Sequence, residues 1–103
     1  MMAAWKKWLS GRAHESAVEP SVPDLQQMQL QLHHALRGCT GPMSQRMRWR
    51  IDETYAAEDL WLLRGEIFQL VAGEFCQEEA TQRINALLPV FAGWLPERML
   101  MRI

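Results

Sequence analysis

Apolar residues recur at helical spacing along most of this chain. Between Ser21 and Gly38, Leu25, Met28, Leu32, Ala35 and Leu36 share one face, and Gln26, Gln27, Gln29 and Gln31 are expected to turn outward. Ser21 is placed to cap, with Pro23 and Asp24 in the first turn in the manner of a capping box. Gly38 is placed to end the element, and "GCTGP" reads as the turn that follows. A helix over 21–38 is predicted.

The stretch "SQRMRWRID", residues 44–52, fits two periods. As a strand it sets Arg46, Arg48 and Arg50 on one face and Met47, Trp49 and Ile51 on the other. As a helix it continues a stripe of Met43, Met47, Ile51 and Tyr55, four residues apart. Met, Gln and Arg favour helices, and the run lacks the valine and threonine typical of strands. A strand would also need a partner, for which only "MLMRI" at 99–103 is a candidate. The reading adopted is a helix over 42–55, with Pro42 in its first turn, where its missing N–H costs nothing. The alternative is a strand at 44–52 paired with 99–103.

Across "TYAAEDLW" the stripe resets to Leu60, Leu63, Ile67 and Leu70, with Val71 beside it, and Trp61 and Phe68 form a second stripe seven apart. A helix over 57–72, apolar around more than half its girth and closed by Gly73, is expected to be the central element. Whether it runs on from the preceding helix is left open by the pattern. A last helix over 76–88 turns Ala80, Ile84, Leu87 and Leu88 inward, with Glu78 and Glu79 at the positive end of its dipole. Pro89 should stop or kink it. Val90, Phe91, Trp94 and Leu95 are then expected to close one end of the core.

The fold class expected is therefore all-α: a small four-helix bundle-like domain over residues 21–103, preceded by a flexible arm over 1–20. Within the arm, "SGRAHESAVEPSV" (10–22) has no apolar period and reads as a tether. Ahead of it, Trp5, Trp8 and Leu9 fall at helical spacing around Lys6 and Lys7, in a piece too short to hold a helix alone.

Composition changes this picture little. With 103 residues the chain is a single domain at most, and 49% hydrophobic content excludes a disordered class. The net charge of −1 hides a segregation. Residues 37–50 hold Arg37, Arg46, Arg48 and Arg50 with no acid, whereas 52–79 hold eight acids against Arg64 alone. The expectation is that these blocks balance internally. Two cysteines suit a reducing compartment, and Lys6 and Lys7 interrupt the apolar run a signal peptide needs. The longest uncharged run, Ile84–Pro96, is 13 residues, shorter than the roughly 20 a membrane span requires. A cytoplasmic protein is expected.

Candidate chemistry is sparse. On a helix, Arg46 and Arg50 flank Trp49, an arrangement that can stack on bases or contact phosphate. Arg48 would point away and pair with Asp52. The acidic block that follows makes a salt-linked outer face of Arg46, Trp49, Arg50 and Glu53 the simpler reading, and nucleic-acid binding through Arg46, Trp49 and Arg50 the alternative. His33, His34, Cys39 and Cys76 lack metal-ligand spacing, and adjacent histidines point about 100° apart on a helix. Cys76 is expected to be a small buried hydrophobe beside Ala80 and Ile84. The carboxylate pairs Glu74/Glu78, Glu78/Glu79 and Glu58/Asp59 are read as helix-start acids, and no phosphate-binding glycine loop is present.

No catalytic residue, metal or cofactor is assigned, and an enzyme assembled from carboxylates and Cys76 is the third reading. What remains is apolar surplus at the chain's two ends: Trp5, Trp8, Leu9, Trp94, Met99 and Met101, with Leu100 and Ile103 beside them. Tryptophan and methionine are enriched at interfaces. The function expected is a non-catalytic protein–protein interaction module, an adaptor or regulatory subunit. Its partner is another protein or a second copy, with weak membrane-surface contact by residues 1–9 as a further possibility.

Overall fold

A computed structural model describes residues 19–100. They form an all-α domain whose elements are α1 (Val22–Ala35), α2 (Pro42–Asp52), α3 (Ala57–Leu62), α4 (Arg64–Glu74), α5 (Gln77–Asn85) and α6 (Leu88–Phe91), followed by a 3₁₀ turn at Glu97–Met99. Only Leu63 separates α3 from α4, and α5 and α6 are similarly one helix interrupted, so the order matches the four helices expected. Residues 44–52 lie within α2, which overturns the strand alternative for that stretch.

α1 begins as its sequence predicts. The Ser21 backbone N–H donates to Asp24 Oδ2 at 2.9 Å, and Ser21 Oγ accepts from the Asp24 N–H at 3.4 Å, so each end of the box satisfies the other. The helix ends earlier than predicted, at Ala35 with Leu36 as its cap, and Gly38 turns the chain at φ +83°. A Cβ at Gly38 would also lie 2.8 Å from Phe75 Cζ, so both conformation and space call for glycine there.

α1 and α2 pack together and cap one another. Gln29, expected to point outward, is half-buried instead; its amide donates to the Ile51 and Thr54 carbonyls at 3.1 and 2.8 Å, at the end of α2. In return Arg48 donates to the Leu36 carbonyl at 2.9 Å and to that of Cys39 at 3.4 Å, at the end of α1. Arg48 therefore does not pair with Asp52, which binds His33 Nε2 at 2.7 Å. The predicted stripe on this helix is half right. Met47 and Ile51 are buried, but α2 stops at Asp52, which leaves Tyr55 beyond the helix and exposed, and Met43 is exposed in the first turn.

The break at Leu63 has a local cause. The Trp61 carbonyl accepts from Arg64 Nη1 at 2.8 Å, and the Leu63 N–H turns to the Leu60 carbonyl in a tighter, 3₁₀-like step. Beyond it, α4 continues through Gly73 to Glu74, past the predicted end. Leu60, Trp61, Leu63, Ile67 and Val71 are buried, with Leu70 and Phe68 packed on the core's edge. The central role expected of this helix is shared: α4 packs against α1, α2, α3 and α5, and α1 packs against α2, α3, α4 and α6.

Pro89 interrupts rather than ends the last helix. α5 stops at Asn85, and α6 restarts with Pro89 in its first turn. Phe91 and Leu95 are buried, and Val90, Trp94, Met99 and Leu100 pack beside them, so this segment does close the end of the core. Trp61 ties it down: its ring lies 5.0 Å from that of Phe91, and its Nε1 donates to the Met99 carbonyl at 2.6 Å.

Candidate functional site

Three large apolar side chains on one side of the domain have no place in the core. Trp49 on α2, Tyr55 in the following loop and Leu62 on α3 are 65%, 68% and 64% exposed. They line a single open groove of about 770 Å³. Its geometry follows from the local sequence. α2 ends at Asp52, the chain turns at Glu53 and is extended at Ala56, and α3 starts at Ala57 with Glu58 and Asp59 in its first turn. The groove lies over this connection, lined by the end of α2, by Thr54–Ala56, by α3 and by Glu66 at the start of α4.

Acids frame it. Glu53, Asp59 and Glu66 line the groove against one arginine, Arg50. Arg50 is already engaged: its Nη1 donates to both carboxylate oxygens of Glu66 at 2.8 and 2.9 Å. Two aromatic side chains and a net negative set of charges thus line the groove, the converse of a nucleic-acid surface.

The arginine strip expected from 44–52 does not form a patch. Arg48 is bound to carbonyls of α1 and its following turn, and Arg50 to Glu66. Arg46 is exposed beside a separate hollow of about 170 Å³ that it shares with Met43, Gln69 and Leu70, across the Arg50–Glu66 pair from Trp49. The structure therefore divides Arg46, Trp49 and Arg50 between two hollows and neutralises one of them.

The other candidates are placed as follows. His33 is half-buried on Asp52, and His34 is exposed, its Nδ1 3.4 Å from Arg37 Nη1. Cys39 is buried; burial first, and Glu74 second, push its thiol pKa up, which keeps it protonated and inert. Ser44 Oγ lies beside that thiol without hydrogen-bond geometry, so we regard it as a buried unsatisfied hydroxyl. Cys76 is not the buried hydrophobe expected. It is exposed and caps α5, its Sγ accepting the Glu79 N–H at 3.4 Å. Glu58, Asp59, Glu78 and Glu79 do sit in first turns, but Glu74 ends α4. Among the described residues no three of His, Cys, Asp and Glu are grouped to hold a metal ion.

Of the apolar surplus, Trp94 and Met99 are half-buried against the core, so only part of each is open to a partner. Trp5, Trp8, Leu9 and Met101 lie outside the described residues. Among those described, no helix is long and apolar enough to cross a membrane.

Sequence reasoning missed two features. The sequence pattern sets Trp49 on a salt-linked outer face, with base stacking as the alternative, puts Tyr55 in the apolar stripe and marks Leu62 not at all; α2 stops before Tyr55, and all three line one groove. Arg83 was not singled out at all. It is buried, with Nε on Glu79 Oε2 at 2.7 Å, Nη1 on the Ala35 and Arg37 carbonyls at 3.0 and 2.7 Å, and its guanidinium 4.8 Å above the Phe75 ring. It closes the end of α1 from the α5 side as Arg48 does from α2. Comparison of the chain with protein families, with curated proteins and with solved structures gives no match, so the functional reading rests on this geometry.

Proposed function

We propose that this protein is a non-catalytic interaction module whose binding surface is the groove between α2 and α3. The observation that carries the reading is that exposed Trp49, Tyr55 and Leu62 line one groove together with Glu53, Asp59 and Glu66. Aromatic anchors in a concavity ringed by charge match the anatomy of interface hot spots. The partner best fitted is a protein segment with apolar anchors and basic side chains. Burying Trp49 and Leu62 against such anchors supplies affinity, and Glu53 and Asp59 select for positive charge. A second copy of the chain is one possible source of that segment, and the free thiols Cys39 and Cys76 are compatible with the expected cytoplasmic setting.

The test compares proteins captured from cell lysate by the wild-type chain, by Trp49→Ala and by Leu62→Asp, with and without nuclease. All these side chains are exposed, so the variants should fold. A nuclease-resistant partner captured by the wild type and reduced at least tenfold with both variants is the expected result. Equal capture by all three chains overturns the reading, and capture abolished by nuclease and by Arg46→Ala replaces it with nucleic acid.

A further inference from the structure

The sequence holds one segment with the chemistry this groove selects. Residues 1–9 carry Trp5, Trp8 and Leu9 as apolar anchors, with Lys6 and Lys7 between them and no acid. The groove lining sets Glu53, Asp59 and Glu66 against Arg50, a balance of −2, and the segment's two lysines supply +2. We propose that residues 1–9 are an intramolecular ligand of the α2–α3 groove, occupying it in competition with the external partner. The proposal rests on the groove being the protein's binding surface.

Reach favours the same-chain arrangement. The side chain of Gln29 touches the carbonyl of Thr54, which lines the groove. From Gln29 back to the start of α1 at Val22 the helix covers only about 10 Å, at roughly 1.5 Å per residue. The tether over 10–18 can span about 30 Å when extended. A tether of this length holds its ligand at an effective concentration on the order of 1 mM. A nine-residue segment with a Kd of about 0.1 mM, too weak to be seen between separate molecules, would then fill the groove about nine-tenths of the time. An external partner would meet an apparent affinity lowered by about tenfold.

Lys6 and Lys7 are the chain's two lysines, so every lysine–carboxylate cross-link reports where the segment lies. The experiment treats the full chain with a zero-length carbodiimide, using equal parts of ¹⁴N- and ¹⁵N-labelled protein, and maps the joined peptides by mass. Expected are links from Lys6 or Lys7 to Glu53 or Asp59 within single-isotope species, falling at least fivefold in a Trp5→Ala, Trp8→Ala variant that keeps both lysines. The same variant should shift the Trp49 indole N–H resonance and capture about tenfold more partner than the wild type. Links spread over other exposed carboxylates such as Glu58, Glu78 and Glu97, or no change at the Trp49 indole, overturn the proposal. Mixed-isotope links also overturn it, since they put the segment in a second copy's groove. The two readings fail separately: loss of capture in Leu62→Asp without the expected links removes only the intramolecular ligand. Links without any effect of Leu62→Asp on capture remove the groove as the partner site.

Discussion

Replacing Arg83 by methionine should be among the most damaging single changes to the folded domain, although the residue is charged and lies on a short amphipathic helix. Methionine keeps the apolar stem of arginine as far as Nε and removes the guanidinium with every donor. Three acceptors then lose a partner: Glu79 Oε2, the Ala35 carbonyl and the Arg37 carbonyl. They do not lose equally. Glu79 is about one-third exposed and recovers hydration, so its part is that of a surface pair, on the order of 0.5 kcal/mol. Arg37 is exposed, and its carbonyl can take a water. Ala35 is buried, and its carbonyl stands at the negative end of the α1 dipole without a replacement donor, which costs about 1–3 kcal/mol. Loss of the contact with the Phe75 ring adds about 0.5 kcal/mol.

The sum is roughly 2–4 kcal/mol, a large share of the 5–15 kcal/mol that stabilises a domain. For a domain of this size it lowers Tm by about 10–30 °C. Urea unfolding followed by far-ultraviolet circular dichroism measures it, with Glu79→Gln alongside. The ordering is decisive: Arg83→Met should cost at least twice what Glu79→Gln costs, because the capped carbonyls outweigh the ion pair. Equal losses in the two variants, or a loss below about 0.5 kcal/mol in Arg83→Met, would refute the argument that this arginine works as the C-terminal cap of α1.

Three further outcomes follow from the same structure. Gly38→Ala should destabilise by about 1–2 kcal/mol, and Gly93→Ala by less: both have positive φ, but only Gly38 faces an aromatic ring, so equal midpoints in thermal melts contradict the account. Alkylation of the native chain with iodoacetamide at neutral pH should label Cys76 alone, with Cys39 reacting only after unfolding; intact mass reads one adduct or two. Asp24 has its pKa lowered, first by the Ser21 backbone N–H and then by the Ser21 hydroxyl. Its contribution is therefore complete above the ordinary aspartate value and disappears as pH falls through the lowered folded value. The stability gap between wild type and Asp24→Asn should accordingly narrow in acid, and a gap independent of pH would exclude the capping role.

What the sequence made legible was periodicity and punctuation. The stripe of Met28, Leu32, Ala35 and Leu36 and the Ser21–Asp24 box stand where their local chemistry puts them, and the interruption expected at Leu88–Pro89 comes slightly earlier, at Ala86–Leu87. Local signals suffice there because each depends on neighbours within one or two turns. The misjudged residues depend on neighbours far along the chain. Gln29 looks like a solvent-facing amide until α2 is laid against it, and Arg83 looks like a surface charge until α1 ends beside it. Tyr55 fits the period of α2 perfectly, but the helix has already stopped. The groove was hidden for the same reason, since no local signal marks the end of α2 at Asp52 rather than three residues later.

The charge blocks show why a linear pattern of arginines is weak grounds for a basic surface. Four arginines lie between residues 37 and 50, and the fold engages three of them: Arg37 with the His34 carbonyl, Arg48 with the Leu36 carbonyl, Arg50 with Glu66. Arg83 likewise takes up Glu79. Helix ends create part of this demand, because their carbonyls need donors wherever packing excludes water, and arginine reaches them across an interhelical gap. The acidic block is larger than the basic one and is only partly neutralised. Of the acids that no arginine or histidine among the described residues takes up, Glu53 and Asp59 line the groove where Trp49 and Tyr55 gather, and Glu58, Glu74 and Glu78 lie outside it. Net charge in a small domain therefore says little about its partners until the internal pairs are removed. What is left here is a negative, partly apolar groove, which is why the partner we propose for it is a positively charged apolar segment.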